Sequence, residues 1–157
     1  MDICRGTNND LQAILQLYQQ LHPQEDSEVT PERQRAFAKI LANDDNYLMV
    51  AKDEDKIIAT AHLTILNNLS RNGRPAAYVE NVVVDRQYRS QGVGEELLAH
   101  LNKLAAENNC YKIFLCTGTI NNAERDKDRE KRHRFYRKTG LQDGIKHAFV
   151  RYLDKNI

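Results

Sequence analysis

The stretch that decides the fold runs from Tyr78 to Gly94 and reads YVENVVVDRQYRSQGVG. It begins as a run of β-branched residues, which favours a strand. It ends with two glycines, Gly92 and Gly94, that open into a helical pattern of apolar residues. The first backbone N–H groups of such a helix have no acceptor inside it and lie at the positive end of its dipole. The stretch therefore predicts a strand, a glycine loop and a helix N-terminus that can bind a phosphate group.

The loop from Arg89 to Gly94 differs from two other phosphate-binding loops. It has no Gly-Lys-Ser/Thr ending, which excludes the loop of NTPases, and no third glycine follows, which excludes the dinucleotide-binding fingerprint. Because its two glycines lack a Cβ atom, a phosphate can come close to the backbone, and Arg89 can add a charge-assisted contact. By itself the loop is also compatible with a plain strand-to-helix turn that uses glycines for tight packing.

The flanking sequence predicts alternating strands and helices in one domain over residues 1–157. Apolar residues at helical spacing predict helices near residues 11–21, 31–42 and 92–108, and Thr30 with Pro31 marks the start of the second. A charged segment followed by the stop signal Gly140 predicts a fourth helix over residues 124–138. Strand patterns cover residues 3–5, 47–52, 57–66, 76–84, 111–116 and 146–153. This order predicts an α+β (mixed α/β) class, with antiparallel strands first and one right-handed parallel crossover later.

The composition excludes several classes of protein. Lys and Arg total 23 against 22 Asp and Glu, a net charge of +1, which argues against a protein that coats nucleic acid or a membrane. No apolar run approaches the ~20 residues that cross a bilayer, and no signal peptide is expected at the N-terminus. The three cysteines lack metal-like spacing, so we expect reduced thiols in the cytoplasm, no metal site and no catalytic cysteine.

Three segments match a known pattern in the same order. Residues 89–94, RSQGVG, fit an Arg/Gln-x-x-Gly-x-Gly/Ala signature, and residues 82–85, VVVD, precede it as a strand and its exit. Residues 135–141, FYRKTGL, fit a Phe-Tyr-x-x-x-Gly-Phe element in which Leu141 replaces the final Phe. Together they resemble the GCN5-related N-acetyltransferases (GNAT). The resemblance implies the GNAT fold, in which a mostly antiparallel sheet is splayed between its fourth and fifth strands, with helices on both faces.

A narrower likeness is to the glucosamine-phosphate N-acetyltransferases. It rests on residues 80–84, ENVVV, and on residues 110–113, CYKI. Two departures leave the acceptor open: Asn81 replaces an acid, and the segment 117–132 is longer and more highly charged than expected.

The resemblance also implies roles for individual residues. The pantetheine arm of acetyl-CoA would pair with the backbone of Val82, Val83 and Val84, and backbone N–H groups of the same strand would polarise the acetyl carbonyl. The pyrophosphate would bind the loop formed by Arg89, Ser90, Gln91, Gly92, Val93 and Gly94. Tyr136 matches the tyrosine that protonates the departing thiolate, and its alternative role is a core aromatic residue beside Phe135.

Acetyl transfer to an amine needs a proton acceptor, and Glu80 is the candidate. It is an acid in an otherwise apolar strand, where burial would make its carboxylate a stronger base. The alternative is a solvent-facing residue. His133 could assist or lie on the surface, and His62 is expected to have a structural or substrate-wall role. The mixed charges of 124–132 predict a solvated helix face, with a lid over a charged acceptor as the alternative.

The sequence thus predicts an enzyme that moves an acetyl group directly from acetyl-CoA to a primary amine, such as that of an amino sugar. The alternatives are a protein or peptide amine as acceptor, or a non-catalytic acyl-CoA sensor. No nucleic-acid or membrane partner is expected. Because many relatives pair, the resemblance also implies a homodimer.

Overall fold

The structure is a computed structural model that describes residues 1–118 and 123–153, without the side chains of residues 123–128. The chain forms two compact units, Met1–Leu115 and Cys116–Ile157. The first unit holds strands β1 to β5 and helices α1 to α3; the second holds helix α4. The strands are Asp2–Arg5, Asn46–Asp53, Lys56–Leu66, Ala76–Val84 and Lys112–Leu115, and the helices are Leu11–Leu21, Pro31–Ala42, Val93–Glu107 and Ala123–Lys138.

The first unit is built on one five-stranded sheet with the order β1-β2-β3-β4-β5. The first four strands pair antiparallel, and β5 joins β4 in parallel. Helix α3 connects these two parallel strands, as the predicted crossover requires. The predicted α+β class is therefore confirmed, and the predicted bounds of β4 agree with the structure.

Both faces of the sheet are covered by apolar side chains. Leu48 and Val50 on β2 pack in one cluster with Ile14, Leu17 and Phe37, which come from α1 and α2. Their alternating neighbours Met49 and Ala51 are equally buried, and must face the opposite side because strand side chains alternate. Helix α3 packs against β2, β3, β4 and β5 and buries residues at helical spacing: Val93, Leu97, Leu98, Leu101 and Ala105. Helices on both faces follow from this pattern.

The second unit departs from the prediction at its C-terminal end. Helix α4 ends as expected before Gly140, which has a φ of 88° and donates a hydrogen bond to the carbonyl of Arg137. The strand predicted over 146–153 is wrong, because residues 145–153 are irregular in the structure. Phe149 is 98% exposed and Leu153 is 90% exposed. A strand needs a neighbour for its N–H and C=O groups, and an alternating pattern does not reveal whether one is available.

Candidate functional site

In the first unit, β5 runs beside only the first half of β4, which leaves a gap in the sheet beside the second half in the described part of the chain. Strand β5 pairs with Ala76–Val79 in the first half of β4, where Val79 is opposite Leu115, and β5 ends at that point. Residues 80–84 continue β4 and remain paired with β3 alone in the described part of the chain. The second half of β4 therefore turns a row of backbone N–H and C=O groups towards the gap. An extended ligand chain can pair with such an edge as an added strand.

A β-bulge lies in β4 just after the point where its pairing with β5 ends. Thr60 pairs with Val83 and His62 pairs with Glu80, so two steps along β3 are matched by three along β4. Asn81 has a φ of 51°, in the left-handed region, where asparagine is tolerated better than most residues other than glycine. The extra residue changes the direction of the backbone after Glu80.

The loop after β4 leaves the helix N-terminus open. Ser90 and Gly92 have φ values of 63° and 85°, and the first bond of α3 runs from the Glu96 N–H to the Gly92 carbonyl at 3.0 Å. No described atom lies within 4 Å of the position a Cβ would take at Gly92. Arg89 Nε donates to the Val84 carbonyl at 2.9 Å, and this bond uses one of the five N–H groups of the guanidinium. The geometry fits a pyrophosphate on the loop.

Glu80 lies on β4 immediately before the bulge, and its side chain is exposed. The prediction that Glu80 lies in a buried apolar environment is therefore wrong. Side chains alternate along β4, and this alternation turns Glu80 away from the core of the first unit. The Tyr78 hydroxyl donates to Glu80 Oε1 at 3.0 Å. The structure thus places Glu80 beside the edge of the gap, with one hydrogen-bond partner that orients its carboxylate.

His62 on β3 lies directly opposite Glu80. Its Nε2 donates to Asn46 Oδ1 at 2.9 Å, and the Thr64 hydroxyl donates to the same oxygen at 3.0 Å. Burial lowers the pKa of His62, and the nearby Glu80 carboxylate offsets part of that effect. A neutral imidazole held by Asn46 agrees with the structural or wall role expected for His62.

Tyr136 belongs to the second unit, on α4. It packs beside Phe135 with ring centroids 5.0 Å apart at 59°. Burial raises the pKa of Tyr136, and Arg132 offsets part of the increase, so the phenol is protonated at neutral pH.

His133 is half-buried, with Nε2 at 3.2 Å from Thr117 Oγ1 and Nδ1 at 3.1 Å from Asp143 Oδ2. Both nitrogens are thus engaged within the second unit. The prediction of a solvated face or a lid for the charged run 124–132 concerns side chains most of which lie outside the described part of the structure.

The cysteines are free thiols: Cys4 and Cys110 are half-buried, and Cys116 is exposed. Burial raises the pKa of the Cys110 thiol, which makes it a weaker nucleophile.

Among the described residues there is no group of three or more His, Cys, Asp or Glu that could hold a metal ion. No described helix is long and apolar enough to span a membrane.

Comparison with known proteins agrees with this geometry. A model of the acetyltransferase (GNAT) family matches residues 11–141. The chain belongs to this GNAT family. A solved structure from Agrobacterium tumefaciens str. C58, named as an acetyltransferase, is 32% identical with a TM-score of 0.86, covering 97% of this chain and 100% of that one. The family uses acetyl-CoA as its acetyl donor.

Two further relatives of this GNAT protein are named for a sugar phosphate. The structure of glucosamine-6-phosphate N-acetyltransferase from Arabidopsis thaliana is 26% identical, with a TM-score of 0.80 and 98% of each chain covered. "Probable glucosamine 6-phosphate N-acetyltransferase 2" of Oryza sativa subsp. japonica is 38% identical over 87 residues. That match covers 52% of this chain and 52% of the rice protein, so the chain spans about half the length of that relative.

Sequence reasoning missed two features of the site. The bulge at Asn81 gave no signal beyond an asparagine in a β-branched run. Tyr18 was expected only as part of the apolar face of α1, whereas burial, with the Glu80 charge, raises the pKa of its hydroxyl to about 12. A polar tip on a residue of a core-facing stripe was the available signal.

Proposed function

We propose that this chain is an acetyl-CoA-dependent enzyme that transfers an acetyl group directly to a primary amine of a small molecule. The observation that carries the proposal is that the second half of β4, which has no partner on the β5 side among the described residues, leads through a short loop to the N-terminus of α3. The strand offers backbone groups to the amides of the pantetheine arm, and the helix N-terminus offers N–H groups and a positive dipole to the pyrophosphate.

Residues of the first unit would bind the donor in two places. The backbone of Val82, Val83 and Val84 would pair with the pantetheine amides, and the loop from Arg89 to Gly94 would bind the pyrophosphate. Since the bulge at Asn81 redirects the strand, N–H groups of the following residues can aim at the acetyl carbonyl. A hydrogen bond to the oxygen of the acetyl carbonyl favours attack by the amine, because negative charge develops on that oxygen during the reaction.

Glu80 would act on the amine. A free alkylamine has a pKa near ~10 and is charged at neutral pH, so one proton must leave before the nitrogen can form its bond to the acetyl carbon. Glu80 is exposed and held by Tyr78, an arrangement that lets its carboxylate take the proton directly or through water.

Tyr136 would complete the transfer. After the new C–N bond forms, the nitrogen gives up a second proton to water, the C–S bond to CoA breaks and its electron pair goes to sulfur. The phenol of Tyr136 can give a hydrogen bond or a proton to that thiolate, since its raised pKa keeps its hydrogen in place at neutral pH.

The acceptor proposed is an amino sugar, and glucosamine 6-phosphate is the first compound to test because relatives named for it match this chain. Thiol release from acetyl-CoA should be followed with a panel of that sugar phosphate, free glucosamine, an aminoglycoside, a polyamine and a lysine peptide. We expect amine-dependent release with an amino sugar. Release only with the peptide would indicate a protein acetyltransferase, and acetyl-CoA binding without release on any amine would indicate a sensor.

A further inference from the structure

Strand β3 places a histidine directly opposite the proposed base. His62 and Glu80 are partners in the antiparallel pairing of β3 and β4, so their side chains lie side by side on one face of the sheet. His62 is half-buried, whereas Glu80 is exposed. Burial lowers the pKa of His62, and the Glu80 charge offsets part of this effect. An imidazole and a carboxylate that act on each other therefore lie together beside the gap.

The neighbours of the His62 ring decide which of its nitrogens carries the hydrogen. Nε2 lies 2.9 Å from Asn46 Oδ1, an oxygen that can only accept. The Thr64 hydroxyl donates its hydrogen to the same Oδ1 at 3.0 Å, so the hydroxyl oxygen, 3.5 Å from Nε2, can only accept as well. Nε2 therefore carries the hydrogen, and Nδ1 of the neutral ring keeps its lone pair. Within residues 1–118 and 123–153, no hydrogen bond to Nδ1 occupies that lone pair.

The groups around His62 leave one charge that acts on the ring. Asn46 on β2 is uncharged, and on β4 the Tyr78 hydroxyl donates to Glu80 Oε1 at 3.0 Å. Helix α1 packs on β3 and β4 and carries Tyr18, whose pKa burial, with the Glu80 charge, raises to about 12. Both phenols therefore stay neutral across the ordinary assay range. The charge that acts on His62 is that of Glu80.

Acetyl transfer removes two protons from the amine nitrogen. The first leaves the ammonium group before attack, and Glu80 is its proposed acceptor. After attack the nitrogen has four bonds and a positive charge. It must lose a second proton, whose bonding pair stays on nitrogen, before the C–S bond breaks. Because Glu80 holds the first proton until solvent removes it, a second acceptor beside it speeds the reaction.

We propose that His62 is a second proton acceptor of the acetyl transfer: Nδ1 takes, directly or through water, the proton that the amine nitrogen loses after it has bonded to the acetyl carbon. The imidazolium that forms then returns this proton to solvent. Asn46 is the positioning residue, because its Oδ1 holds Nε2–H and so keeps Nδ1 unprotonated. This inference rests on the proposed function.

The first test is His62→Gln, whose amide can still donate to Asn46 Oδ1 but has no basic nitrogen. General-base help is worth about 10²- to 10⁴-fold, and with water as the substitute acceptor we expect kcat to fall about 100-fold. Acetyl-CoA affinity measured by calorimetry should stay within about twofold, because His62 lies outside the proposed donor-binding residues. The matched control is His100→Gln on α3, another half-buried histidine, which should retain kcat. A His62→Gln variant as active as this control would overturn the proposal.

Asn46→Asp gives a readout that a purely structural role would not change. Aspartate keeps the acceptor for Nε2–H and adds a negative charge beside the ring, which raises the pKa of an imidazole. Since His62 must be unprotonated to accept, the acid limb of the kcat pH profile should move to higher pH by about one pH unit. In a His62→Gln background the same substitution should leave that limb in place. A limb that stays in place in Asn46→Asp alone, or moves equally without His62, would overturn the proposal.

A readout without turnover keeps the inference separate from the enzyme's identity. The ¹⁵N NMR signals of the His62 ring in the protein without substrates should show a neutral ring with hydrogen on Nε2 at neutral pH. A ring with hydrogen on Nδ1, or a charged ring, would overturn the inference even if amine acetylation were found. The expected ring in a protein that acetylates no amine would instead defeat the proposed function.

Discussion

At the scale of single residues, Glu80 shows how position decides chemistry. Exposure leaves the carboxylate accessible to an incoming ammonium group, while the Tyr78 hydroxyl limits its orientations. His62 opposite has a pKa that burial lowers, and its Nε2 bonds to Asn46 Oδ1, which holds the ring in place. This arrangement makes Glu80 the proposed base although it lacks the burial that its sequence context suggested.

Replacing Glu80 with glutamine should therefore produce a pH-dependent loss of activity. General-base assistance is worth about 10²- to 10⁴-fold, and Glu80→Gln should lose most of it near neutral pH. The loss should shrink at alkaline pH, where more of the amine is already uncharged. A pH profile of kcat/KM measures this. A loss of the same size at every pH would make Glu80 an orienting residue.

Tyr136→Phe should lower kcat more than it weakens acetyl-CoA binding. A group that stabilises the departing thiolate acts mainly in the transition state. Steady-state rates with a good amine, compared with calorimetric affinity for acetyl-CoA, check the prediction. Phe135→Leu on the same helix is the control for the loss of aromatic packing. If Tyr136→Phe has full activity, the tyrosine is a packing residue beside Phe135.

Asp10 should make stability depend on acid pH. Burial would raise the pKa of Asp10, but hydrogen bonds from the Thr7 backbone and hydroxyl and from Lys52 outweigh it and lower the pKa. The stabilisation is therefore present above the unfolded value of about 3.9 and is lost as pH falls through the folded value. Urea unfolding should show a stability gap between the protein and Asp10→Asn at pH 7 that narrows below about pH 4. A constant gap would contradict this.

At the scale of elements, the sequence alone predicted the second half of β4 and the loop before α3. Residues 76–84 were predicted as a strand because β-branched residues dominate there, and Gly92 marked the helix start because few other residues fit a φ of 85°. The bulge was not predictable, because a register shift depends on the partner strand β3. The strand expected over 146–153 failed for the same reason: pairing is a tertiary property.

The phosphate loop can be tested through its glycine. Gly92→Ala adds a Cβ at a positive φ and fills space where a pyrophosphate would approach, so acetyl-CoA affinity should fall about tenfold or more through the loss of charge-assisted backbone contacts. The matched control is Gly73→Ala, which has a φ of 76° and equally open surroundings in the β3–β4 connection. It should bear similar strain and bind acetyl-CoA normally. Equal affinity in both variants would remove the pyrophosphate from this loop.

At the scale of the whole molecule, the residues with proposed roles belong to two compact units. The first unit contains the donor path and Glu80, and the second contains Tyr136. The sequence predicted the role of Tyr136 only through a family resemblance. Residues 135–141 by themselves do not indicate a side chain that acts on the thiolate of CoA. Whether residues 1–157 act as one domain stays a prediction, and so does the homodimer.

The central claim is direct transfer from acetyl-CoA to an amine, with no acetyl group held on the protein. Burial raises the pKa of the Cys110 thiol, which makes this cysteine a weaker nucleophile for a covalent route. Initial rates measured while acetyl-CoA and the accepted amine are both varied test the claim most directly. We predict intersecting double-reciprocal lines, the pattern of a ternary complex. Parallel lines, together with an acetylated protein in the absence of amine, would contradict the account.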